Sequence, residues 1–99
     1  MLRILWEFRV RKDKVPEFET HYGRDGTWAR LFRRAKGFRE TILLRDRDSQ
    51  GRYVTIDVWD DPASFESFRT AHTAEYEEID RLCGELTEEE NRLGSFETL

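Results

Sequence analysis

The sequence predicts an α+β fold in one domain over residues 1–99: a four-stranded antiparallel sheet with helices on one face. Three observations lead there. Two segments alternate apolar and polar residues with the period of a half-buried strand, Leu2–Val10 and Tyr53–Trp59. Two others, after Lys14 and after Asp61, repeat apolar residues at helical spacing. The elements run strand, helix, strand, strand, helix, strand, the ferredoxin-like βαββαβ order. At 99 residues the chain can bury a single core.

In the first segment Leu2, Ile4, Trp6, Phe8 and Val10 share a face. Asp13 is the expected cap of a helix that carries Val15, Phe18 and Tyr22 on one side. Gly23 and Gly26 break that helix, as a plain loop or as a lid over a pocket. Thr27 can start a short continuation with Trp28, Leu31 and Phe32, and Gly37 ends it as a left-handed terminal glycine. Phe38–Arg45 is a second strand, joined to Tyr53–Trp59 by the polar turn 46–52. Asp61 is an N-cap and Pro62 a first helical residue, opening a long helix toward Leu86 that bends near 70–73. Thr87–Glu90 reads as a capped acidic turn, and Leu93–Leu99 as a short edge strand. Even-numbered strand residues (Ile4, Trp6, Phe8, Ile42, Leu44, Val54, Ile56, Val58) are expected under the helices. Leu5, Glu7, Arg9, Thr41, Leu43, Tyr53, Thr55, Asp57 and Trp59 are expected on the open face, where a second copy would cover them.

The net charge of −4 divides unevenly: residues 1–52 hold 14 basic and 8 acidic side chains, residues 53–99 hold 3 and 13. The acidic half opposes a phosphate backbone, and the arginines near 30–39 suit a helix C-terminus, so no nucleic-acid partner is expected. No apolar run reaches the ~20 residues of a membrane span. The single cysteine, Cys83, forms no internal disulfide and fits a cytoplasmic protein. Two histidines and one cysteine, far apart, make no metal-ligand spacing, and no phosphate loop or nucleophile elbow is present.

The opening LWEFRV, the helix end RRAKGF, the strand RYVTIDVWDD and the helix SFESFRTAH together resemble the antibiotic biosynthesis monooxygenase family, the dimeric α/β-barrel proteins. The resemblance implies a homodimer with an apolar cavity between sheet and helices in each subunit. It also implies a cofactor-independent monooxygenase that oxidises a small or polycyclic phenol or quinol with molecular oxygen. Two alternatives stay open: a non-catalytic small-molecule-binding or accessory protein, and a polyketide cyclase or isomerase. Haem-opening relatives use a first-strand asparagine, whereas this strand reads Trp6-Glu7-Phe8.

His72 is the candidate catalytic base, since an imidazole titrates near neutrality and the resemblance places a histidine after the strand-end tryptophan. Its plainer reading is a packed, hydrogen-bonded histidine. Trp6, Phe8, Tyr22, Trp28, Phe65, Phe68 and Tyr76 are the aromatics able to hold a flat ring. Trp59 has two readings: the resemblance puts it beside the cavity, and strict alternation puts it on the dimer face.

Overall fold

The structure is a computed structural model that describes residues 1–99. Its strands are β1 (Leu2–Val10), β2 (Phe38–Arg45), β3 (Arg52–Trp59) and β4 (Thr87–Glu97), in the spatial order β2-β3-β1-β4 with every pair antiparallel. The helices are α1 (Val15–Tyr22), α2 (Thr27–Phe32), α3 (Pro62–Ala71) and α4 (Thr73–Cys83), and a 3₁₀ turn at Gly84–Leu86 leads into β4. This is the ferredoxin-like α+β arrangement.

Local chemistry accounts for most element ends. The Asp61 carboxylate accepts a 2.8 Å hydrogen bond from the Ser64 N–H, and Pro62 occupies the first turn where its missing donor is harmless. Asp61→Ala is expected to lower the urea midpoint with an unchanged slope. Gly37 has φ +92°, and a Cβ there would run into the Ser64 side chain, so only glycine lets β2 begin this close to α3. The bend expected at 70–73 is a full break at His72, whose φ of −122° belongs to neither helix.

Other starts differ from the sequence reading. Neither Asp13 nor Thr27 caps its helix; the Thr27 hydroxyl meets His21 Nδ1 at 2.7 Å instead. Thr87–Glu90 is strand rather than a turn, because pairing with β1 gives its backbone ladder partners that a turn would lack.

The larger correction concerns the faces of the sheet. Across β1 and β3, Leu2 pairs with Trp59, Ile4 with Asp57, Trp6 with Thr55 and Phe8 with Tyr53. Even residues of β1 therefore share a face with odd residues of β3, and Thr41 and Leu43 of β2 join them. That face meets the helices. Its core contains Leu2, Ile4, Phe8, Val10, Tyr53 and Trp59 from the sheet, with Phe18, Tyr22, Trp28, Leu31, Phe32, Phe68, Cys83 and Leu86 from the helical layer. Ile42, Leu44, Val54, Ile56 and Val58 lie on the open face with Leu5, the reverse of expectation. Phe96 on β4, opposite Arg3, joins them there.

Candidate functional site

The sheet floor and the helices do not close completely over one another. Between them lies a cleft, open at its mouth, whose empty space including the solvent at that mouth is about 420 Å³. Trp6 and Phe8 of β1, Thr41 of β2, and Thr55 and Asp57 of β3 form its floor. Tyr22 of α1, Trp28 and Phe32 of α2, and Tyr76 and Asp80 of α4 form the walls, with Glu90 of β4 on the remaining side. The rings make a continuous surface: Trp6 lies parallel to Phe8 at 6.4 Å, Phe8 meets Tyr22 at 4.9 Å, and Trp28 meets Tyr76 edge-on at 4.9 Å. Such walls suit a flat aromatic guest.

Asp57 is the polar centre of this floor. It stands in the middle of the sheet, opposite Ile4 on one side and Thr41 on the other. The Thr41 hydroxyl donates a 2.9 Å hydrogen bond to Asp57 Oδ1, and the second carboxylate oxygen has no protein donor. Burial pushes the carboxyl from its ordinary value near 3.8 up to about 7, with the Thr41 bond offsetting part of the rise. A carboxyl so poised exchanges protons near neutrality.

The neighbouring groups are also displaced. Burial raises the Tyr76 hydroxyl, a rise opposed by the Arg69 guanidinium, which stacks 3.8 Å from the centre of its ring. Burial, reinforced by the Cys83 thiol, raises Tyr22 well beyond its ordinary range. Desolvation, and then the charge of Asp80, raises Glu90. The Trp28 indole N–H is buried without a hydrogen-bond partner. No lysine, arginine or histidine lines the cleft.

The residues singled out in the sequence therefore divide. Trp6, Phe8, Tyr22, Trp28 and Tyr76 converge on the cleft. Trp59, Phe65 and Phe68 pack beside it: Trp59 is wholly buried, touching Phe32, Phe38, Phe65 and Phe68 at ring separations of 5.3–5.6 Å. Trp59 thus faces the helices and not a dimer seam, because its partner across the sheet is Leu2. His72 does not line the cleft. Its ring stacks on Phe68 at 5.2 Å and its Nδ1 meets Glu75 Oε2 at 3.1 Å, at the break between α3 and α4.

Sequence reasoning missed Asp57, Thr41, Thr55, Phe32, Asp80 and Glu90 as cleft residues. One signal was available for the first: an aspartate inside the β-branched run Tyr53–Trp59 is out of place in a strand unless something requires it.

The family model for antibiotic biosynthesis monooxygenases matches residues 1–79. The chain belongs to this family. Solved members share the monooxygenase fold closely. SnoaB of Streptomyces nogalater, described as a cofactor-independent oxygenase, is 26% identical with a TM-score of 0.80, over 99% of this chain and 92% of its own. A family protein of Bordetella bronchiseptica is 21% identical with a TM-score of 0.80, over 99% and 96% of the two chains. One from Deinococcus radiodurans is 10% identical with a TM-score of 0.79, over 100% and 93%. Among curated proteins none matches the sequence.

Proposed function

We propose that the cleft binds a small or polycyclic phenol or quinol and oxidises it with molecular oxygen without a cofactor, using Asp57 as the base. The carrying observation is the Asp57 carboxyl, buried on an aromatic floor, held by Thr41 and pushed up to about 7. The 26% identity with a cofactor-independent oxygenase supports the same reading.

An anthrone-like substrate carries its reactive hydrogens on a ring CH₂. Asp57 takes one proton from the ring CH₂, leaving an electron-rich anion. The anion gives one electron to O₂, and the resulting radical pair joins as a ring-bound peroxide. Protonated Asp57 returns its proton to the terminal peroxide oxygen. Loss of the second ring hydrogen with the outer hydroxyl releases water and leaves the quinone carbonyl. In sum CH₂ and O₂ become C=O and H₂O, and Asp57 ends as it began. The aromatic walls hold the ring and exclude water from the anion.

The test is oxygen uptake and quinone formation over a panel of hydroquinones and anthrones. Uptake matched by quinone supports the proposal, whereas binding without turnover leaves an accessory protein. Product formed under nitrogen points to a cyclase or isomerase. His72→Ala serves as the control: turnover should persist, because His72 stands outside the lining.

We also propose that two copies pair through the open sheet faces. Leu44 and Phe96 are 46% and 48% exposed there, beside Leu5, Ile42, Val54 and Ile56, too much contiguous apolar surface for a lone subunit. Ile56→Asp, at the centre of that face, should turn a dimer into a monomer in sedimentation equilibrium. A monomer before the substitution would overturn the pairing.

A further inference from the structure

The cleft carries acid beyond what proton transfer requires. Asp80 lies one helical turn after Tyr76 on α4, and so projects from the same side of the helix. Glu90 stands opposite Phe8 on β4, facing inward. Both are exposed, so they mark the mouth, whereas Asp57 lies deeper. The three are near enough to one another that the Tyr76 hydroxyl feels all of them.

No direct ion pair within the chain answers this charge. Neither Asp80 nor Glu90 takes part in an ion pair or a side-chain hydrogen bond, although arginines surround the region. Arg81 is bound to Glu78 at 2.6 Å, Arg11 donates to the Glu85 carbonyl at 3.1 Å, and Arg92 donates to Ser95 Oγ at 2.5 Å. Arg69 lies against the Tyr76 ring and does not line the cleft. The unpaired carboxylates are not a metal centre either, since no group of three ligating side chains converges. Three carboxylates in the lining face one guanidinium outside it, that of Arg69, which stacks on Tyr76 with its Nη1 buried and unpartnered, so the apolar hollow keeps a net acidic surface. Such a surface favours cationic guests through both charge and ring faces, and repels anions.

We infer that Asp80 and Glu90 select the ligand by charge, admitting an uncharged or amine-bearing aromatic and turning away one that carries a carboxylate. The inference rests on the cleft being the ligand site, as proposed above, but not on turnover there.

The experiment measures binding by quenching of tryptophan fluorescence with three matched probes: 2-naphthol, an aminomethyl-naphthol and a hydroxynaphthoic acid. In low salt the native protein should bind the amine tightest and the acid weakest, with about fivefold between steps. The double variant Asp80→Asn, Glu90→Gln should compress that order, and about 0.5 M salt should compress it in the native protein by screening. Equal binding of acid and neutral probe by the native protein overturns the inference, as does an order unchanged in the double variant, or no binding of any probe. Circular dichroism confirms that the variant is folded. Oxygen uptake by the native protein is read separately: intact uptake with no charge order in the native protein defeats only this inference, and a native charge order without uptake defeats only the oxygenase.

Discussion

Asp57→Asn should abolish oxygen uptake while leaving a folded, more stable protein. A placed base contributes about 10²–10⁴ in rate, and asparagine cannot take the proton. Its amide oxygen can still accept the Thr41 hydrogen bond, so the floor keeps its shape. Activity of the native protein should rise with pH to a plateau above about 7, as the carboxylate form becomes populated. Stability should move the other way. The folded carboxyl holds its proton to about 7, while in the unfolded chain it releases it near 3.8. The contribution of this group is therefore complete below that lower value and is lost as pH climbs through about 7. The gap corresponds to roughly 4 kcal/mol as an upper figure. The variant carries no such charge, so its advantage over the native protein should appear between pH 5 and 8 in denaturant titrations. A variant with native uptake would remove Asp57 from the chemistry. A variant less stable at pH 8 would show that the carboxyl is not desolvated as described.

Trp59→Ala should be the most damaging change to the fold. The side chain is fully enclosed by Phe32, Phe38, Phe65 and Phe68, and its indole N–H makes no hydrogen bond, so the loss is one of packing alone. Truncating a buried tryptophan costs about 3–5 kcal/mol. In a domain of this size that is a fall of about 15–30 °C in Tm, measured by calorimetry. Because Trp59 lies beside the cleft and not in its lining, affinity for a cleft ligand should survive at temperatures where the variant is folded. A small Tm shift with a large loss of affinity would instead make Trp59 a contact residue.

Much of the fold was legible because its signals are local. Alternation marks β1 and β3, and Asp61-Pro62 marks the start of α3; Gly37 has the left-handed backbone expected of it but does not end α2, which stops at Phe32 with Arg33 still in the right-handed region. The assignment of faces was not local. Alternation says that neighbours in a strand point apart, but only the pairing of Leu2 with Trp59 says which set of β3 goes inward. That single register inverted the expected faces of β2 and β3 and hid Asp57, whose charge reads as solvent-facing in a strand presumed half wet. His72 has the chemistry of a base, yet a break between helices and a Glu75 partner account for its place. Asp80 and Glu90 sat among many surface acids, and nothing in the spacing separates those two from Glu77 or Glu88.

β4 has one further consequence. It is an outermost strand, 11 residues long, and its outer backbone groups have no ladder partner within the subunit. Bare hydrogen-bonding rims of that length recruit like strands and seed fibres. Here the rim opens with Glu88, Glu89 and Glu90, and kinks at Gly94, where φ is +144° and the register slips. A second rim brought alongside would meet stacked like charge and a bent backbone. The strand that completes the sheet thus also guards its own rim against edge-to-edge pairing.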